Sequence, residues 1–348
     1  MARVRTRGEN VRKFILQNIE KNPTTVSRLA ADHFHISRQA VNKHLHRLTS
    51  EGVVTVTGQT RNRSYRLTAI SEWQRKYDIS QGKLAEDVIW SQDIAQVLAA
   101  QPENVLDIWH YGFTEMFNNA LDHSQGNDVD VHIKKTAANT EMLIIDNGIG
   151  IFKKIQSELG LVDERHAILE LSKGKLTTDP RRHTGEGIFF TSRMFDSFDI
   201  LSGGVHFSHE FGKPEDWILE LEKGLKQGTL VLMELNNHTS RTVKKIFDQY
   251  TSKDGDFGFD KTVIPVQLAQ YGNDKLISRS QARRVLSRVE LFKIVLFDFA
   301  EVLTIGQAFA DEIFRVFAAE HPGIQLHAVN ANSEVRRMIA RVTSNQPS

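Results

Sequence analysis

The sequence predicts an α+β multidomain chain, and three observations carry that prediction. Residues 1–70 hold three short helical patterns followed by a hairpin, and they concentrate positive charge. A helix over 105–124 places Glu115, Asn119 and Asp122 on one face and runs into two alternating strands punctuated by paired glycines. From about Asp256 onward strands alternate with helices, the pattern of an α/β layer. At roughly 150 residues per domain, the 348-residue chain has room for two or three such units. The expected boundaries are 1–70, a helical connector over 71–104, a central domain over 105–240, a C-terminal domain over 256–342 and a tail over 343–348.

Composition narrows the function classes. Apolar residues make up 40% and charged residues 25%, ordinary for a soluble globular protein. No run of about 18 apolar residues appears, so no membrane span is expected. The N-terminal MARVRTRGENVRK is basic but lacks the apolar stretch of a secretory signal. The chain has no cysteine, which excludes disulfides, thiolate metal sites and cysteine nucleophiles and fits a cytoplasmic setting. Net charge is only +1, but residues 1–70 carry 13 Lys/Arg against 4 Asp/Glu, while the remainder carries 31 against 39. A basic segment joined to an acidic body predicts that the N-terminal part meets a polyanion.

The N-terminal elements follow from the apolar spacing. Val11, Phe14, Ile15 and Ile19 mark a first helix over Glu9 to Glu20, broken by Asn22-Pro23. Thr24-Thr25 can cap a second, with Val26, Leu29 and Ala30 inward. Ser37 can cap a third, buried through Val41, Leu45 and Leu48 and ended by Gly52. Val54 and Val56 alternate with threonines, and Tyr65 to Leu67 return as the second hairpin strand. This layout resembles the winged helix-turn-helix of bacterial regulators, a class that also includes protein-docking modules. The resemblance implies a third helix in the major groove of double-stranded DNA. Its exposed residues are Arg38, Gln39, Asn42, Lys43 and His46, types that read base edges. Arg61 and Arg63 at the hairpin tip would contact phosphate or the minor groove.

The central segment carries the chemistry. Glu115 and Asn119 lie one helical turn apart, a spacing that by itself also describes a solvated helix exterior. The second strand ends in Asp146-Asn147-Gly148-Ile149-Gly150, a buried acceptor beside a sharp turn. Thr184-Gly185-Glu186-Gly187 then opens an apolar helix, leaving backbone N–H groups for a phosphate. In this order and spacing the three elements resemble the N, G1 and G2 boxes of the GHKL superfamily, which includes gyrase, heat-shock chaperone ATPases and histidine kinases. Gly228-Thr229 resembles its late Gly-Thr element. The resemblance covers about residues 100–236 and implies an α/β sandwich of the Bergerat type, with ATP and Mg²⁺ as cofactors.

The resemblance also assigns roles. Glu115 would be the general base, Asn119 a Mg²⁺ ligand, and Asp146 the adenine acceptor assisted by Thr229. Gly148, Gly150, Thr184, Gly185 and Gly187 would line the phosphates. A lid over about Phe152 to His183 offers Lys173, Lys175, Arg181, Arg182 and His183, one of which would reach the γ-phosphate. An orthodox histidine kinase is disfavoured, because residues 71–104 contain no histidine and are short for a dimerising hairpin.

The C-terminal hundred residues resemble the STAS-like domain of unknown function that follows some GHKL domains. The match rests on Ser278-Arg279-Ser280-Gln281-Ala282, Asp298-Phe299 and Gly306-Gln307-Ala308-Phe309-Ala310-Asp311. It implies a protein partner, and GHKL chains often form homodimers. Where STAS proteins place a phosphorylated serine, this chain has Ile305, with Thr304 the nearby hydroxyl. Ser278, Arg279 and Ser280 can bind a ligand or simply cap a helix. Three functions are compatible with this organisation. The first is an ATP-controlled DNA-binding regulator, the second an anti-sigma-type serine/threonine kinase acting on a STAS-like domain or partner, and the third a non-catalytic interaction module.

Overall fold

A computed structural model describes residues 2–59, 62–82, 84–176, 185–213, 216–221, 224–251, 259–270 and 275–344. The chain divides into two compact units: Met1–Arg75 with Val131–Met142 and Glu234–Thr239, and Lys76–Asp130 with Leu143–Met233 and Ser240–Ser348. The first unit therefore takes in two segments that the sequence placed in the central domain.

In the first unit, α1 (Ala2–Asn18), α2 (Val26–Phe34) and α3 (Arg38–Ser50) precede the antiparallel hairpin of β1 (Val54–Thr57) and β2 (Ser64–Leu67). The expected apolar stripes converge: Val11, Ile15, Ile19, Val26, Val41, Leu45 and Leu48 are buried in one cluster with Val54 and Leu67. Ser37 caps α3, its hydroxyl accepting from Ala40 N–H at 3.2 Å. The helix ends in a Schellman turn, with Val53 N–H donating to Leu48 and Gly52 N–H to Thr49. The expected cap on α2 is not made, because Thr25 is already in a helical conformation and its side chain accepts no cap bond.

The 71–104 segment departs from the expected helical connector. Ser71–Asp78 is a strand, β3, and only then do α4 (Glu86–Ile89), a π-turn over Trp90–Ile94 and α5 (Ala95–Leu98) follow. The sequence hides β3 because most of its residues are exposed and polar, leaving no apolar alternation to read.

Helix α6 (Glu103–His123) is followed by β4 (Asp128–Lys135) and β5 (Asn139–Asp146), then α7 (Ile151–Leu159), α8 (Glu164–Lys173) and α9 (Gly187–Met194). Strands β6 (Ser197–Ser202), β7 (Val205–Glu210), β8 (Asp216–Glu220) and β9 (Thr229–Asn236) complete a sheet of seven strands in the order β3-β4-β5-β9-β6-β7-β8. Trp109, Phe113 and Phe117 give α6 a fully buried face. Helix α9 packs on α6, α8, β6 and β7, so the helix opened by Gly187 lies against the helix that carries Glu115 and Asn119.

After α10 (Val243–Gln249) comes a parallel sheet in the order β10-β11-β12, formed by Lys261–Pro265, Ile294–Asp298 and Gln325–Val329. Its helices are α11 (Arg279–Leu286), α12 (Gln307–Asp311), which continues through a π-turn into α13 (Ala318–Glu320), and α14 (Ser333–Thr343). Among the described residues, no helix is long and apolar enough to cross a membrane.

Candidate functional site

Six of the residues expected at a nucleotide site meet on one cavity. Glu115, Asn119, Asp146, Gly185, Gly187 and Thr229 line a space of about 280 Å³. That volume lies at the small end of ligand sites, roughly 300–1,000 Å³. Ile144, Ile151, Ile155, Ile200 and Val231 make the wall beside Asp146 apolar. Asp122, one further turn along α6, is exposed and does not reach the cavity.

Asp146 is buried at the end of β5. Its Oδ1 accepts from Gly148 N–H at 2.8 Å, and the Thr229 backbone N–H and hydroxyl lie near enough to favour its ionised form. The Thr229 hydroxyl in turn accepts from Ile151 N–H at 3.0 Å, which fixes its direction. Burial pushes the Asp146 carboxyl above its ordinary value, and those donors only partly offset it. A buried carboxylate among apolar cavity residues can accept from the amino group of a ligand.

Glu115 lines the same cavity. Its carboxyl is raised above the ordinary value, first by burial and then by the negative charge of Glu186. A Cβ built on Gly187 would fall 1.9 Å from Glu115 Oε2, so the carboxylate rests against the start of α9. Neighbouring Tyr111 is also shifted upward, by burial and then by Glu115.

Gly148 and Gly150 do not lie on the cavity wall. They shape the turn behind it, where a Cβ on Gly148 would meet the Ser124 carbonyl oxygen at 2.0 Å and one on Gly150 would meet Ser202 Oγ at 2.6 Å. A paired substitution separates the two kinds of glycine. Gly148→Ala must displace backbone and is expected to destabilise the protein by about 1–3 kcal/mol, the usual range for overpacking. Gly187→Ala meets only the end of a flexible side chain and is expected to leave the melting temperature near wild type. Thermal denaturation of both variants checks this, and equal melting temperatures would refute it.

The sequence assigns no role to His123, which ends the N-box match, or to Lys154, and both also line the cavity. Lys154 Nζ donates to the His123 carbonyl at 3.1 Å and lies 3.4 Å from His123 Nδ1. The ammonium is thus a cation in a cavity bordered by carboxylates. Its only signal was a lysine four residues past Gly150.

The expected lid cations are corrected. Lys173 is fully buried and bonded to Glu170 and to the carbonyls of Arg284 and Ser287. Burial pulls its ammonium down to about 8. Lys175 Nζ donates to the Leu291 carbonyl at 2.9 Å and sits over the Phe292 ring. Both are held by the C-terminal domain rather than turned to the cavity. Arg181, Arg182, His183 and Thr184 lie outside the described residues.

Among the described residues, no group of three or more His, Asp or Glu side chains is placed to hold a metal. The cavity offers the Asn119 amide instead, a donor set that suits Mg²⁺ only when ligand phosphates supply the other oxygens.

In the first unit, Arg38, Gln39, Asn42, Lys43 and His46 are all exposed along α3, opposite its buried stripe. Asn42 Oδ1 accepts from Ser27 Oγ at 2.9 Å. Arg63 is exposed beside β2, and Arg61 lies outside the described residues. In the C-terminal domain, Ser278 caps α11 in a reciprocal box with Gln281. Thr304 is exposed two residues before Gly306.

The family model described as winged helix-turn-helix DNA-binding matches residues 12–55. That described as the STAS-like domain of unknown function matches residues 281–336. The chain thus carries an N-terminal winged helix-turn-helix, which supports DNA binding, and a C-terminal STAS-like domain. In sequence, the residues that line the cavity fall between the two matched segments. No curated protein matches the chain.

Proposed function

We propose that the chain is a DNA-binding regulator that binds and hydrolyses ATP in the central cavity, with nucleotide controlling domain arrangement and so DNA affinity. The observation that supports this best is Asp146. A buried carboxylate that accepts from Gly148 N–H sits beside Thr229 and apolar side chains, while Glu115 and Asn119 line the same cavity. Asp146 accepts from the adenine amino group, and the Thr229 hydroxyl orients that carboxylate. Backbone N–H groups at Gly185 and Gly187 meet phosphate oxygens at the start of α9. The Asn119 amide oxygen helps to hold Mg²⁺, which neutralises phosphate charge. Glu115 positions a water and takes its proton as the water oxygen bonds to the γ-phosphorus and the bridging oxygen leaves with ADP.

ATP alters DNA binding only if it prefers one conformation of the chain. The test is a fluorescence titration of duplex DNA at several salt concentrations, with and without Mg-ATP. Affinity is expected to fall steeply with salt, because neutralised phosphates release counterions. Lys43→Ala is expected to reduce the salt slope by about one contact. Mg-ATP is expected to shift the curve at fixed salt. Salt-independent binding would sink the DNA interface, and a curve unmoved by bound nucleotide would sink the control.

A further inference from the structure

Helix α8 is buried from His166 through Lys173, although that stretch includes Glu170, Ser172 and Lys173. Charged side chains accept burial only where they are paired and hydrogen-bonded. Here the partners come from the STAS-like domain. Lys173 Nζ donates to Glu170 Oε1 at 2.8 Å and to the carbonyls of Arg284 at 3.0 Å and Ser287 at 2.8 Å. Those carbonyls close the C-terminus of α11, so the ammonium sits at that helix's negative pole.

The arrangement is reciprocal. Arg288, just past α11, donates from Nη1 to Glu170 Oε2 at 3.0 Å and from Nη2 to the Gly174 carbonyl at 3.0 Å and to the Lys175 carbonyl. Each helix end is therefore capped by a cation from the other domain, with Glu170 bonded to both cations. The Thr262 hydroxyl closes the set by donating to the Lys173 carbonyl at 2.6 Å.

Two further observations give this clamp a direction. Arg288 has φ +61°, a left-handed backbone that few residues other than glycine and asparagine adopt. Holding an arginine there costs backbone energy that its three bonds offset. The clamped segment is also cavity wall: Leu171 and Leu176 line the cavity, and Leu176 N–H donates to the Gly185 carbonyl at 3.0 Å. The same short stretch thus touches the STAS-like domain on one side and the nucleotide space on the other.

We propose that the STAS-like domain regulates nucleotide occupancy of the central cavity through this reciprocal clamp on α8. The proposal rests on the ATP reading of the cavity and adds its regulation. With the clamp engaged, the wall at Leu171 and Leu176 is set for nucleotide. Whatever pulls the STAS-like domain away loosens that wall and lowers affinity. Coupling between sites is reciprocal, so nucleotide also tightens the clamp.

The test uses the intact chain, with Mg-ATP as the probe. Arg288→Gly removes the guanidinium at a position whose backbone suits glycine, and Arg288→Asn, also at home there, is the second variant. Calorimetric affinity for Mg-ATP is expected to fall about tenfold in both, within the usual range for coupled sites. Hydrogen exchange in wild type is expected to slow across residues 284–291 when Mg-ATP saturates, and this protection should vanish in both variants. A clamp that merely packs two domains together would not transmit that signal. Variants that bind like wild type, or exchange at 284–291 that ignores nucleotide, overturn the proposal while leaving the ATP reading intact. A wild-type chain that binds no Mg-ATP overturns the ATP reading and the coupling together, and faster exchange over 164–176 in the variants would still register the clamp.

Discussion

Asp146→Asn is expected to lower Mg-ATP affinity roughly 100- to 1,000-fold, the loss of one charge-assisted buried bond plus a mismatched donor. The geometry explains the size. Asp146 already takes Gly148 N–H at 2.8 Å, with the Thr229 N–H and hydroxyl nearby favouring its ionised form, so the carboxylate is held as an acceptor. An asparagine must keep its one oxygen on those donors or turn it to the ligand. Either way an amide N–H₂ confronts another donor in a buried site.

The pH dependence has a definite sign. Burial holds the Asp146 carboxyl above its ordinary value in the empty cavity. The ionised form accepts from an amino group, so affinity should fall as pH drops through that raised value, sooner than for an exposed aspartate. Nucleotide binding should take up the charge and release protons near that pH. The same shift bears on folding. A carboxyl whose folded-state value is raised loses stability as pH rises through the window between its unfolded and folded values, so at neutral pH the ionised form is a cost. The asparagine variant should therefore melt no lower than wild type. Calorimetry and thermal denaturation decide the matter together: retained affinity would refute the adenine role, and lost affinity with a collapsed melting temperature would leave the effect a folding defect.

Legibility in the sequence followed the range of the interactions. The cavity was readable because its chemistry sits in short motifs. Glu115 and Asn119 share a helix turn, and Asp146 ends a strand whose alternation is plain. The winged unit was readable for the same reason: Val41, Leu45 and Leu48 space a buried stripe that leaves Arg38, Gln39, Asn42, Lys43 and His46 outside. What stayed hidden depended on distant partners or lacked contrast. Strand β3 is mostly polar and exposed, so its sequence looks like a connector. Helix α8 is buried on all sides with charges in it, a pattern no apolar periodicity announces. Lys173 is bonded to a carbonyl 111 residues away. Its position before the second glycine turn suggested a phosphate ligand, and only its burial shows that it serves the domain contact. Lys154 was missed for the complementary reason, because it reaches the cavity from α7, which no box contains.

Glu115→Gln is expected to keep Mg-ATP binding within a few-fold of wild type while reducing ADP release about 10²- to 10⁴-fold, the usual contribution of a positioned base. Glutamine matches the shape of glutamate and keeps an oxygen for orienting water, but it cannot take the proton. The loss therefore falls on turnover rather than on binding. Burial and then Glu186 raise the Glu115 carboxyl, and activity requires its ionised form. The acid limb of the rate profile should lie above the ordinary glutamate range, and Glu186→Gln should move it to lower pH by removing the neighbouring negative charge. Stability should move the opposite way from activity. The ionised carboxylate is disfavoured where it sits, so the neutral amide is expected to stabilise the nucleotide-free protein by about 1 kcal/mol, typical of relieving a strained functional site. In a unit of this size that is roughly 2–4 °C in melting temperature. Single-turnover ADP release across pH, run beside thermal denaturation, tests both halves. A Glu115→Gln protein that turns over within a few-fold of wild type would remove Glu115 as the base. A Glu186→Gln profile that stays put would show that burial alone sets its acidity.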